Sequence, residues 1–146
     1  MAAAAVALAC GGGCNPGGTR YAPVSGVVTI DGRPVESASV SFCLEAFADG
    51  SAPRGRVPVA SGTTDAAGAF ALRSLDADAE LVDGAAVGRH RVAIYTELID
   101  EAAGDYAAAK VLRKEILPAK YNLQSELAVT VPPEGTDQCN FELTTD

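Results

Sequence analysis

From Val24 onward, apolar residues of this chain recur at every second position in short bursts. Val24, Gly26, Val28 and Ile30 alternate with Ser25, Val27 and Thr29, and Ala38, Val40 and Phe42 alternate with Ser37, Ser39 and Ser41. A period of two sends successive side chains to opposite faces of a pleated strand, so each burst predicts a strand buried on one side. The same pattern returns at Phe70 and Leu72, at His90, Val92 and Ile94 behind Gly88, at Leu127, Val129 and Val131, and at Cys139, Phe141 and Leu143. Turn signals separate these bursts. Asp31-Gly32, with Pro34 fixing the exit, is a hairpin signature; Asp65 and Gly68 mark a second turn, and Pro132 to Gly135 a third. Short alternating strands with such punctuation predict an all-β fold, a small β-sandwich.

Three stretches break the alternation. Residues 46–58, with Gly50, Pro53, Gly55 and Pro58, read as a loop, and residues 74–84, with Asp76, Asp78, Glu80 and Asp83, as a solvated connection. Between Asp100 and Leu117, acidic residues come first and Lys110, Arg113 and Lys114 last. That order suits a helix dipole, so one short helix is expected within a long excursion between strands. Tyr106 lies in this excursion.

Composition narrows the function classes. The 146 residues make one domain of ordinary size, and 5% aromatic content without Trp leaves Val, Leu and Ile as the main core-formers. A net charge of −8 argues against a nucleic-acid partner, whose phosphates need clustered Lys and Arg. Catalysis lacks its usual cast. The single histidine, His90, shares a strand face with Val92 and Ile94 and reads as structural, and one His with scattered Cys is not a zinc set. No metal, cofactor or enzymatic activity is expected.

The first fourteen residues are apolar and end in cysteine. Leu8-Ala9-Cys10 approximates a lipoprotein cleavage and acylation site, with Cys10 the preferred modified residue and Cys14 the second, although no Lys or Arg precedes the run. Residues 1–10 are thus expected to be a leader, 11–22 a Gly-rich tether and 23–146 the folded domain. The membrane partner would be met through the lipid, because a spanning helix takes roughly 20 apolar residues.

Cys43 and Cys139 fall on separate predicted strands. In an exported protein they could pair, closing a loop of roughly 100 residues with up to about 4–5 kcal/mol of stabilisation. Parity gives the other reading: Cys139 faces inward with Phe141 and Leu143, whereas Cys43 faces away from Val40 and Phe42.

Taken together, Gly26-x-Val28 with Asp31-Gly32-x-Pro34-Val35, Ala38-x-Val40-x-Phe42, Thr64-Asp65-x-x-Gly68-x-Phe70 and Gly88-x-His90-x-Val92 resemble the carboxypeptidase regulatory-like, or transthyretin-like, domain family. The likeness spans about Val24 to Leu143. A Leu-Pro-x-Lys-Tyr-Asn element at Leu117 to Asn122 looks like that of small bacterial lipoproteins within the family, while His90 stands where the family usually has Tyr. The resemblance implies a seven-stranded Greek-key β-sandwich and a non-enzymatic accessory module. The expected function is a cell-envelope lipoprotein for protein interaction or structure, with an envelope protein as partner. The alternative is a small-ligand or carbohydrate-binding module using Tyr106, Lys120 and Tyr121. Structural anchoring is the competing role for Tyr121, through a ring under the sandwich edge and a hydroxyl bonded to backbone.

Overall fold

The computed structural model describes residues 19–54, 58–76, 78–100 and 110–146. Those residues form an all-β, sandwich-like fold. The strands are β1 (Tyr21–Ala22), β2 (Ser25–Ile30), β3 (Arg33–Pro34), β4 (Ser39–Phe47), β5 (Val59–Thr63), β6 (Ala69–Ala71) and β7 (Arg73–Leu75). They continue as β8 (Leu81–Asp83), β9 (Ala85–Ala86), β10 (Gly88–Tyr95), β11 (Leu98–Asp100), β12 (Lys110–Arg113), β13 (Leu127–Val131) and β14 (Phe141–Leu143).

One layer is an antiparallel sheet in the order β13-β10-β4-β5-β7-β8. The other centres on β2, flanked by β14 on one side and by β3 and β6 on the other. β14 runs parallel to β2, with Phe141 beside Val28 and Leu143 beside Ile30. The approach to β14 is tied to the same strand. Thr136 N–H donates to the Pro23 carbonyl at 2.8 Å, Ser25 N–H to Thr136 at 2.9 Å and Cys139 N–H to Ser25 at 3.0 Å.

The alternation carries through to burial. Val24, Val28 and Ile30 are buried from one layer, and Val40, Phe42, Leu44, Val92, Ile94 and Val131 from the other. Phe141 bridges the layers, 6.3 Å from Phe42 edge-on and 6.1 Å from Phe70 in a stack. Each such side chain contributes on the order of 1.5–3 kcal/mol by leaving water. The Asp31-Gly32 turn joins β2 to β3 with φ of 51° and 81°, the left-handed pair that a two-residue hairpin requires. In the second expected turn the Asp65 carboxylate accepts from Ala67 N–H at 2.9 Å and Ala69 N–H at 3.0 Å.

Several expectations are corrected. Residues 74–84 are not a plain connection: β7 and β8 form a hairpin, with Leu75 opposite Leu81, because Asp76 caps the turn by accepting from Asp78 and Glu80 N–H groups. β4 runs on through Phe47, into the stretch read as loop. The flanks of the expected helix are strands: Leu98–Asp100 pairs with Lys110–Arg113, so two of the basic residues assigned to its end sit on β12. Residues 101–109, Tyr106 among them, lie outside the described residues, as do Cys10 and Cys14. β1 pairs with β9, bringing Tyr21 and Ala22 into the fold from the stretch expected to be tether. Finally, Cys43 is exposed and Cys139 buried, and both are free thiols. One faces water and the other the core, the placement that the parity reading gives. Burial pushes the Cys139 thiol up to about 11.

Candidate functional site

His90 is fully buried at 0% exposure on β10, with its ring centroid 5.6 Å from that of Phe42. Nε2 donates to the Ala86 carbonyl at 2.6 Å, and Nδ1 has no hydrogen-bond partner among the described residues. Burial holds the imidazole below its ordinary pKa of 6.5. The unfolded chain therefore takes up a proton near pH 6.5 while the native chain stays neutral. Stability from this group is complete above that pH and declines as pH falls toward the native pKa, by at most about 1.4 kcal/mol per pH unit. Urea unfolding between pH 7.5 and 5 is expected to show this decline, and His90→Gln to remove it. A wild-type profile as flat as the variant's would contradict the assignment.

The Leu117 to Asn122 element is an anchor. Leu117 is buried, and Ala119–Tyr121 forms one 3-10 turn behind Pro118. The Tyr121 ring packs against the core, and its hydroxyl accepts from Thr144 N–H at 3.3 Å. Lys120 Nζ lies 5.1 Å from the Tyr121 ring centroid and donates to the Asp146 carbonyl at 2.9 Å. Asn122 is buried, donating to the Ile94 carbonyl at 3.4 Å, and Ser125 Oγ donates to the Val92 carbonyl. Lys120 and Tyr121 thus come together, but their polar atoms are directed to the chain itself.

Residues that the alternation did not single out build the neighbouring feature. Arg113, at the end of β12, donates from Nε to the Thr96 carbonyl at 2.6 Å, and from its two terminal nitrogens to Glu36 at 2.8 Å and Ser37 at 3.0 Å. Glu115 accepts from the Thr96 hydroxyl at 2.5 Å, from Thr96 N–H at 2.9 Å and from Leu117 N–H at 3.0 Å. Burial alone would raise the Glu115 carboxyl, but these hydrogen bonds outweigh it and hold it below the ordinary glutamate value. Together they clamp the base of the β11–β12 hairpin to the sandwich. Outside the clamp the hairpin shows apolar side chains to water: Ile99 opposite Val111, then Leu112 at 56% exposure, with Ile116 beyond. Leu123, past the 3-10 turn, is 82% exposed. The only advance sign of the clamp is a pair of opposite charges two residues apart just before Leu117-Pro118.

No group of three or more His, Cys, Asp or Glu among the described residues could hold a metal, and no described helix is long and apolar enough to cross a membrane. Comparison with protein-family models, curated proteins and solved structures finds no match to this chain. The family resemblance therefore rests on the turn and strand motifs alone.

Proposed function

We propose that this chain is a non-enzymatic lipoprotein of the cell envelope whose β-sandwich, of the transthyretin-like, seven-stranded Greek-key type, serves as a protein-interaction or structural module. The observation that carries the reading is the β11–β12 hairpin. Its apolar side chains face water while a polar clamp fixes its base, an arrangement suited to presenting a contact surface. Among the described residues His90 is fully buried beside the Phe42 ring, which supports a structural role for it. The return of β14 beside β2 supports the Greek-key assignment. A ligand or glycan site at Tyr106, Lys120 and Tyr121 is less well supported, because Lys120 and Tyr121 are tied to Asp146 and Thr144.

The envelope address is tested by the intact mass of the protein recovered from membrane fractions of its native host, with its N-terminal peptide sequenced. A diacylglyceryl-modified Cys10 as the first residue is expected. Soluble protein that retains an unmodified Met1 would overturn the address.

A further inference from the structure

The strands that border the two layers are not equivalent. β8 is three residues long and its Asp83 carboxylate meets Arg73 at 3.3 Å; β14 is equally short and carries Glu142; β3 has two residues and includes Pro34. β13 differs. It has five residues, Leu127 to Val131, with no charge and no proline, and among the described residues it pairs only with β10. Natural sheets usually blunt such an edge with Lys, Pro or a bulge, because its unpaired N–H and C=O groups are a template for another strand.

Beside this edge the layers part. A cleft of about 340 Å³ opens there, lined by Val129, Thr130 and Pro132 on one side and by Cys139, Asn140 and Phe141 on the other. A strand laid along β13 would complete its main-chain hydrogen bonds and send alternate side chains toward Val129, Cys139 and Phe141. Arg89 and Arg91 stand across from Thr130 and Ala128 on β10, Arg91 paired with Glu45, but both ends of β13 and the approach to β14 are acidic. Glu126, Glu134, Asp137 and Glu142 are all exposed, none forms an ion pair among the described residues, and residues 121–146 contain no Lys or Arg.

We propose that β13 and the adjoining cleft receive an extended segment of a partner protein, apolar at alternate positions and flanked by Lys or Arg. This rests on the interaction-module reading and gives that module a chemically defined surface; it is independent of the lipid anchor. The test titrates the full chain with synthetic peptides in which Val, Ile or Leu alternates with Thr between terminal lysines. Binding is followed by anisotropy and by amide hydrogen exchange. Expected are a Kd below about 1 mM and slowed exchange at Ala128 to Thr130. Methylating alternate peptide amides, or replacing the terminal lysines by glutamate, weakens binding on the order of tenfold. Thr130→Lys, at an exposed position, does the same, and the combined Glu126→Gln, Glu134→Gln and Asp137→Asn change removes most of the salt dependence.

Absence of binding by every peptide, or binding indifferent to amide methylation and to Thr130→Lys, overturns the proposal. So does a wild-type dimer in sedimentation that Thr130→Lys converts to monomer, because a second copy would then own the edge. None of these outcomes depends on what is attached at Cys10, so failure here and failure of the envelope address are told apart.

Discussion

Gly26→Ala is expected to destabilise the domain by about 3 kcal/mol or more, lowering Tm by roughly 10 °C. The reason is the close passage of the Cys139 segment over β2. A Cβ at residue 26 would lie 1.9 Å from the Cys139 carbonyl oxygen and 2.4 Å from its carbonyl carbon. Both are backbone atoms, and that backbone is held by the Cys139–Ser25 hydrogen bond and by Val27 N–H donating to Asn140 Oδ1 at 3.0 Å. It cannot yield without giving up the pairing of β14 with β2. Thermal and urea unfolding check the size of the effect, with Gly32→Ala as a comparison. At Gly32 an added Cβ meets nothing within 4 Å, so the cost there is confined to a φ of 81°. Equal losses at the two positions would show that close packing at Gly26 is not what matters.

Glu115→Ala is expected to cost about 2–3 kcal/mol and to release the β11–β12 hairpin. Thr96 is 0% exposed, and without the carboxylate its buried hydroxyl and N–H lose their acceptor. Limited proteolysis near Leu98 and Arg113 should accelerate along with the loss of stability. Glu115→Gln keeps an acceptor oxygen and should cost less. The native carboxyl titrates below the ordinary value of 4.5, so its contribution is complete above that pH and is lost as pH falls through the lower native pKa. Glu115→Gln should flatten stability in that acidic window and leave the His90-dependent decline above it untouched. If Glu115→Ala left both stability and cleavage unchanged, the clamp would not be what holds the hairpin.

The parts of the fold that were legible are those in which one residue type settles the local structure. Alternation placed Val24 to Ile30 and Ala38 to Phe42 with the correct buried face, and Asp31-Gly32 marked its turn through backbone conformation alone. The β7–β8 hairpin was hidden because its acidic residues dominate the composition while its pairing rests on Leu75 and Leu81, too short a signal for periodicity. The Asp100 to Leu117 stretch was legible only in part for a related reason. Charge order suggested a short helix there, and its centre lies outside the described residues, while at its flanks the pairing of Ile99 with Val111 joins residues that are neighbours only in space. The clamp was harder still. Arg113 and Glu115 act through long side chains on Thr96, Glu36 and Ser37, partners that no local pattern names. The edge position of β13 among the described residues depends on which strand ends up outermost, a property of topology and not of Leu127 to Val131 themselves.

The parallel seating of β14 on β2 bears on how the chain comes to be folded. Val27 and Asn140, joined by one of its hydrogen bonds, stand 113 residues apart. Contacts of that span form only after the long intervening segment has closed, which places such sheets among the slower folders, in the millisecond-to-second range. During synthesis β2 emerges early and must wait for Phe141 to Leu143 before its layer has both neighbours. The nascent chain thus carries β2 with β3 and β6 on one side and an open side on the other until Phe141 to Leu143 have been made, so completion of this layer is a late event of folding.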